Sequence, residues 1–391
     1  MSARQFYYAE GLAEQTATTS SAIDVATLNF TPDQNSDYLL VWSAMVACTV
    51  VGGQTTIRLW DNVGSAELIG TEQSMKDATD YVAAYGAHRA SFGVSPATQT
   101  YKVQVVDFST GNSLCKEARV CALKLTANDQ FAASDGDSST TSATLQDKTT
   151  LNFTPASPGD YLIVATAYWR LAGASSQVEV ALNVDGTLFG DASLREILNS
   201  SFQKNVWGTV VKVLLSATAH TIKIQFASSD GATAAHIQFA RIAAIRLDAF
   251  DNAYYAESRG DSNTTSSSPQ DKAALTATPE PVNHLVLACA QRMHSSTTDS
   301  ALTKLVEGGS NLIAEASAEG RVSSTTIRGV DPWLQIIKRS GSGATTTWKT
   351  QYRTEASART DIVESAIAVL QLDATPAPGS MPQGLVLLGA G

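Results

Sequence analysis

Through much of the chain, apolar side chains fall at every second position. Val178, Val180, Leu182 and Val184 alternate with Glu179, Ala181 and Asn183, and Ile222, Ile224 and Phe226 alternate with Lys223 and Gln225. Successive side chains leave a strand on opposite sides, so this period predicts strands with one face in a core and the other in water. Asp185-Gly186 separates two such stretches where a tight hairpin needs residues that tolerate positive φ. Asp61-Asn62-Val63-Gly64 and Gly308-Gly309 hold the corresponding places. Helix is expected only as short turns, near residues 194–198 and 70–80.

The pattern repeats. Leu28-Asn29-Phe30-Thr31-Pro32 returns unchanged as Leu151-Asn152-Phe153-Thr154-Pro155, and in altered form as Leu275-Thr276-Ala277-Thr278-Pro279. An apolar strand follows each copy, beginning Asp37-Tyr38-Leu39, Asp160-Tyr161-Leu162 and Asn283-His284-Leu285. Further on, Thr100-Tyr101-Lys102-Val103-Gln104 recurs as Thr221-Ile222-Lys223-Ile224-Gln225 and Thr347-Trp348-Lys349-Thr350-Gln351. The openings agree as well: Phe6-Tyr7-Tyr8-Ala9-Glu10 matches Tyr254-Tyr255-Ala256-Glu257, and Gln146-Asp147-Lys148 matches Gln270-Asp271-Lys272.

A solenoid repeat of roughly 20–50 residues cannot bury its own face, whereas a repeat of about 120 residues is a complete domain. The expected units are residues 1–127, 128–250 and 251–373, followed by a Pro/Gly linker and apolar tail over 374–391. About eight antiparallel strands per unit suit a two-sheet jelly roll. The fold class is therefore all-β: three tandem antiparallel β-sandwich, jelly-roll-like domains plus an extended C-terminal tail. An immunoglobulin-like sandwich is the alternative, although its Cys…Trp…Cys landmark is missing.

Composition narrows the function. Lys and Arg number 27 against 37 Asp and Glu, a formal charge of −10, so no basic surface is available for nucleic acid. No apolar run approaches the roughly 20 residues of a membrane helix, and the start lacks the apolar core of an export signal. Cys48, Cys115, Cys121 and Cys289 sit at unrelated spacings within apolar runs and read as buried thiols of a chain made in a reducing cytoplasm.

Candidate chemistry is sparse. The histidines His88, His220, His236, His284 and His294 have no counterparts between units, no Ser-His-Asp set is indicated, and no Gly-rich phosphate loop follows a strand. No catalytic residue, cofactor or metal is assigned and the chain reads as a non-enzyme. Asp135-Gly136-Asp137 and Asp185-Gly186 read as turns rather than calcium ligands, and Arg259-Gly260-Asp261 as a chance tripeptide.

Tyr85, Trp207 and Trp333 precede the Lys-x-Gln strand in their units and are expected to be equivalent core anchors. Trp60 and Trp169 are not shared between units. Near hairpin and loop ends, they are the residues to contact a glycan if one is bound. The Ser/Thr-rich stretches 16–21, 138–142 and 264–268 read as surface loops or crossings. In the tail, Leu385, Val386, Leu387 and Leu388 form an apolar peptide on a Pro-rich tether, suited to adding a strand to another subunit's sheet.

The Met1 start without an export signal, the three LNFTP/Tyr-Leu/Lys-x-Gln units over 1–373, the low charge with abundant Ala, Ser and Thr, and the tail together resemble tailed-bacteriophage virion proteins. These are built of tandem β-sandwich or jelly-roll domains and include capsid decoration proteins, head fibres and tail appendages. The resemblance implies a structural component made in the host cytoplasm and located in the virion. It would act through other virion proteins and copies of itself, as a homo-oligomer, without nucleic acid or membrane insertion. A carbohydrate-binding adhesin or receptor-binding fibre, with a host-surface glycan as partner, is the competing class.

Overall fold

The computed structural model describes residues 4–50, 54–74, 81–107, 111–171, 177–194, 205–294, 301–308, 311–318, 330–355 and 359–372. The first sandwich comprises β1 (Phe6–Gly11), β2 (Gln15–Ala17), β3 (Ile23–Phe30), β4 (Asp37–Cys48), β5 (Gln54–Asp61), β6 (Ala66–Ser74), β7 (Val82–Ser91), β8 (Gln99–Asp107) and β9 (Ser113–Lys124). The second comprises β10 (Gln130–Ser134), β11 (Ser138–Thr140), β12 (Gln146–Phe153), β13 (Gly159–Leu171), β14 (Val178–Val184), β15 (Thr187–Leu194), β16 (Asn205–Leu215), β17 (His220–Ser228) and β18 (Ala235–Arg246). The third comprises β19 (Ala253–Thr264), β20 (Gln270–Ala277), β21 (Asn283–His294), β22 (Ala301–Glu307), β23 (Asn311–Ala318), β24 (Val330–Ser340), β25 (Thr346–Thr354) and β26 (Thr360–Gln371).

One turn of 3-10 helix, Leu247–Ala249, is the only helix among the described residues. Residues 70–74, expected in a helical turn, instead complete β6, and Leu194 ends β15. All three Ser/Thr-rich stretches are partly strand: β2 pairs with β9, β11 with β18, and Thr264 ends β19 opposite Thr360 of β26.

Each sandwich has the same strand order. In the first, one sheet runs β1-β9-β4-β7 and the other β3-β8-β5-β6; the second and third repeat it as β10-β18-β13-β16 with β12-β17-β14-β15, and β19-β26-β21-β24 with β20-β25-β22-β23. The first strand pairs with the last, and the next inward pair forms in the opposite sheet. That nested antiparallel order is a jelly roll, not the ABED/CFG arrangement of an immunoglobulin domain.

The repeated sequence blocks meet across strands. Asn29 accepts a hydrogen bond from Thr100 at 2.6 Å and Asn152 from Thr221 at 2.9 Å, while the hydroxyls of Thr276 and Thr347 pair at 2.9 Å. Asp24 accepts from Lys102 at 2.8 Å and Gln104 at 2.7 Å, Asp147 from Lys223 and Gln225 at 2.6 Å, and Asp271 from Lys349 at 2.5 Å and Gln351 at 2.6 Å. Each aspartate stands at a β-bulge, between Asp24 and Ala26, Asp147 and Thr149, or Asp271 and Ala273. The Lys-x-Gln motif is thus the donor half of a clamp that fixes a bulge and, with it, the strand register.

At the hairpin between β14 and β15, Asp185 has φ 50° and Gly186 φ 91°, the left-handed pair that a two-residue turn requires.

The expectation of one dry and one wet face holds only for the sheets carrying the clamps. In the other sheet of each sandwich the central strand, β4, β13 or β21, is covered on both faces. Along β13, Tyr161, Ile163, Ala165, Ala167 and Trp169 belong to the core of their own sandwich, whereas Leu162, Val164 and Tyr168 join a cluster shared with the first and third sandwiches. This explains why 161–169 is apolar at every position but Thr166: a strand buried on both sides keeps few polar alternate positions. Each such side chain contributes roughly 1.5–3 kcal/mol by leaving water.

The three sandwiches close on one another in a cycle. Strand β24 of the third packs on β4 of the first, β16 of the second on β21 of the third, and β7 of the first on β13 of the second. The neighbouring edges follow the same rotation, with β6 beside β16, β15 beside β24 and β23 beside β7. A head-to-tail contact used three times that returns to its start is a closed heterologous ring. Here it is made within one chain.

Candidate functional site

Of the two tryptophans singled out by the sequence, Trp169 is 4% exposed and donates its indole N–H to the carbonyl of Val206 at 3.2 Å. It faces the core of the second sandwich, and no ring face is open to a sugar; that expectation is corrected. β13 extends to Leu171, so Trp169 is a strand residue, not a loop-end one.

Trp60 is half-buried on the clamp-bearing sheet of the first sandwich, opposite Lys102 and Glu67. The Arg58 guanidinium stacks on its ring at 4.3 Å and donates from Nε to Gln104 at 2.9 Å. Gln104 in turn donates to Asp24, so Trp60 ends a continuous polar ladder. Leu385, Val386, Leu387 and Leu388 lie outside the described residues.

Tyr85 is not equivalent to Trp207 and Trp333. Trp207 pairs with Ala167 and Trp333 with Ala290, but the matching partner Ala44 faces Ala84, which leaves Tyr85 one residue further on. A shift of one residue turns a side chain to the opposite sheet face. Trp207 therefore anchors its own core and donates to the Gly190 carbonyl at 3.1 Å, while Tyr85 points outward to the second sandwich and lies against Gly208.

The structure does assemble a Ser-His-Asp set that the sequence concealed. His220 Nδ1 is 2.6 Å from Asp185 Oδ2, and its Nε2 is 3.2 Å from Ser216 Oγ. The three residues come from the β14–β15 hairpin, the β16–β17 turn and the first position of β17. Their repeat-specific identities hid them, because no motif links positions in separate turns.

The geometry is that of a clip. Asp185 only accepts, so Nδ1 carries a proton, while Nε2 stands 3.0 Å from the Ser216 main-chain carbonyl, another acceptor. With the proton on Nδ1, the neutral ring keeps its lone pair on Nε2, which meets both the hydroxyl and the carbonyl of Ser216. Burial pulls Asp185 upward, but the Thr221 amide and His220 outweigh it and hold the carboxyl below its usual range. The clip ties the hairpin to the neighbouring turn.

The other histidines are dispersed. Burial, with Arg241 of the second sandwich nearby, pushes His88 down to about 4. His284 is 1% exposed and also lowered by burial, and His236 lies 3.1 Å from Asp137. All four cysteines are buried and unbridged, as expected; burial pushes Cys121 and Cys289 up to about 12. Arg259-Gly260-Asp261 lies within β19 at a bulge, with Arg259 paired to Glu257 at 2.9 Å and stacked on Phe189. Among the described residues no cluster of three or more His, Cys, Asp or Glu could hold a metal ion.

The most developed polar chemistry lies at the seams of the ring. Between first and third sandwiches, Ser43 Oγ donates to Gln335 Oε1 at 3.2 Å, and Arg119 donates to the same oxygen at 3.2 Å. Lys338 stands over the ring of Tyr8 at 5.7 Å. Between third and second, the hydroxyl of Tyr255, the counterpart of Tyr8, donates to Glu257 at 2.6 Å and lies 3.5 Å from the Val210 carbonyl, and the Gly190 amide donates to Glu364 at 2.9 Å. Between second and first, a Cβ on Gly86 would stand 2.9 Å from Trp42 Nε1 and 3.2 Å from the Tyr168 hydroxyl. Equivalent strands meet, yet each seam has its own chemistry.

No family model and no curated protein matches this chain. Among solved structures, it is similar to a triple-jelly-roll protein of an archaeal virus, with 9% identity, a TM-score of 0.23 and coverage of 94% of this chain and 92% of that one. A structure of Sulfolobus turreted icosahedral virus gives 10% identity, a TM-score of 0.23 and coverage of 94% and 92%. Particles derived from infectious bursal virus give 8%, 0.24, and coverage of 95% and 79%. The jelly-roll assignment rests on the strand order described above, not on these superpositions.

Proposed function

We propose that the chain is a non-enzymatic structural component of a tailed-phage particle, a capsid decoration protein or a head or tail appendage, working through protein-protein assembly. Residues 1–127, 128–250 and 251–373 are its three building units, and 374–391 its linker and tail. Made in the host cytoplasm, it ends in the virion, bound to other virion proteins and to copies of itself.

The observation that carries this reading is the ring. Three jelly rolls bury one sheet each against their neighbours in a rotation that closes, so the chain is a prefabricated three-lobed body. Such a body suits repetitive assembly, where shape and contact surface are the function. Leu385, Val386, Leu387 and Leu388 supply the assembly peptide. Cryo-electron microscopy of native particles should show a three-lobed density at fixed stoichiometry. A chain ending at Ala374 should fold normally and fail to incorporate. Absence of the protein from purified particles, or unchanged incorporation of the truncated chain, refutes the reading.

Trp60 favours a second reading, a receptor-binding fibre. At its register, opposite the clamp lysine, the other sandwiches carry Asn183 and Val306, so the fold does not demand an aromatic there. Saccharide binding on a glycan array, lost in Trp60→Ala with folding intact, would select this reading. A silent array removes it.

A further inference from the structure

Around Gly190, the seam between second and third sandwiches encloses a polar cluster that hydrogen bonding leaves incomplete. Gly190 has φ 57° and is held on both sides, its carbonyl accepting from Trp207 and its amide donating to Glu364 Oε2 at 2.9 Å. A Cβ there would stand 2.8 Å from Thr209 and 2.9 Å from Gln291 Nε2. Glu364 Oε1, Thr209 Oγ1 and both polar atoms of Gln291 are buried without a partner. Glu364 and Gln291 stand directly opposite each other in the β21/β26 register, on one sheet face.

An ionised carboxylate with one oxygen buried and unpaired is costly, as is a buried amide with neither end satisfied. One proton settles the carboxyl and the amide oxygen together: a neutral acid would donate from Oε1 to the Gln291 amide oxygen while Oε2 still accepts from Gly190. We propose that Glu364 is carried as a neutral carboxylic acid whose proton is shared with Gln291, making this seam of the ring a proton-operated latch.

The surroundings fit. Burial raises Glu364 above the ordinary glutamate range, and this outweighs the Gly190 amide and the cations Arg259 and Lys272, with Glu257 adding to the rise. Arg259 is engaged by Glu257 and Phe189, and Lys272 by the Ser262 hydroxyl at 3.1 Å and the Gly260 carbonyl. From the second sandwich the nearest carboxyl in sequence is Asp191, also raised by burial, and Cys289 on β21 is a raised thiol. The latch has no counterpart at the other seams: Glu117 and Phe239 take the place of Glu364 in the first and second sandwiches, both with positive φ.

A group whose folded value lies above its unfolded one stabilises fully below the unfolded value, and that contribution is lost as pH rises through the folded value. Melting of the full chain should therefore shift downward as pH climbs past the ordinary carboxyl range. Glu364→Gln keeps the acceptor and replaces the acid proton with an amide N–H. It should flatten that decline and melt above the wild type at neutral pH. Parallel curves for the two proteins would overturn the proposal. Should the variant fail to fold, carboxyl-carbon NMR of the wild type with the Glu364 signal assigned decides: that signal must titrate above the ordinary glutamate range, and its titration within that range would overturn the proposal.

Discussion

Tyr85 of the first sandwich occupies the space that a side chain on Gly208 of the second would need. A Cβ added at Gly208 would lie 2.7 Å from the tyrosine ring. Both residues take the same outward position on their strands, opposite Ser43 and Thr166. Enlarging the small member overpacks a buried contact, typically at a cost of about 1–3 kcal/mol. Gly208→Ala should lower stability by that amount in chemical denaturation. Combining it with Tyr85→Phe should recover nothing, since the ring stays, whereas Tyr85→Ala should show coupling in a double-mutant cycle.

The seam between first and third sandwiches joins two lobes that are not consecutive in the chain. Gln335 accepts there from both Ser43 and Arg119, which is 4% exposed. Gln335→Leu deprives both donors of this acceptor; Arg119 keeps Glu117, so the cost is about 1–3 kcal/mol for the Ser43 hydroxyl. The expected outcome is earlier opening of this seam, seen as faster amide exchange in β24 and β4 with little change in β14 and β17.

His88 supplies an acid-sensitive contribution. Burial beside Arg241 holds it down to about 4. The unfolded chain therefore binds the extra proton first as pH falls below the ordinary imidazole value, and stability declines until the folded value is reached. The loss is on the order of 1–3 kcal/mol. His88→Gln should flatten the denaturation midpoint between roughly pH 6.5 and pH 4, leaving the neutral midpoint nearly unchanged.

The two candidate tryptophans should separate cleanly. Removing the buried Trp169 should cost about 3–5 kcal/mol, the usual penalty for emptying a large aromatic site. Trp60→Ala, on a half-wet sheet face, should cost far less. Intrinsic fluorescence offers a direct check, because Trp42, Trp169, Trp207, Trp333 and Trp348 are all buried. Acrylamide quenching should act mainly on Trp60 and largely vanish in its alanine variant.

The sheets were legible in the sequence because alternation and recurrence are local. Val178 to Val184 announces a strand from its own residues, and Asp185-Gly186 announces its turn. The partnership of Asn29 with Thr100, or of Asp147 with Lys223 and Gln225, was present as two recurring blocks whose pairing only the strand order reveals. Tyr85 misled because its aromatic character matches Trp207, while its parity along the strand is opposite. Nothing in the sequence marks Glu364 or Gln291 as seam residues: each looks like an ordinary alternate position until another lobe covers it. Burial on both faces was hinted by the apolar run through Leu162 and Val164, yet such a run does not say what covers the second face.

Carrying all three lobes on one polypeptide frees each from copying its siblings. In a trimer of identical subunits, a tyrosine at the position of Tyr85 would appear three times about the axis, and a glycine opposite it could not be kept. Here one lobe holds the bulk, another the gap, and a third the acid. Dilution cannot separate covalently joined lobes, so the ring forms at any concentration and can be tuned one joint at a time.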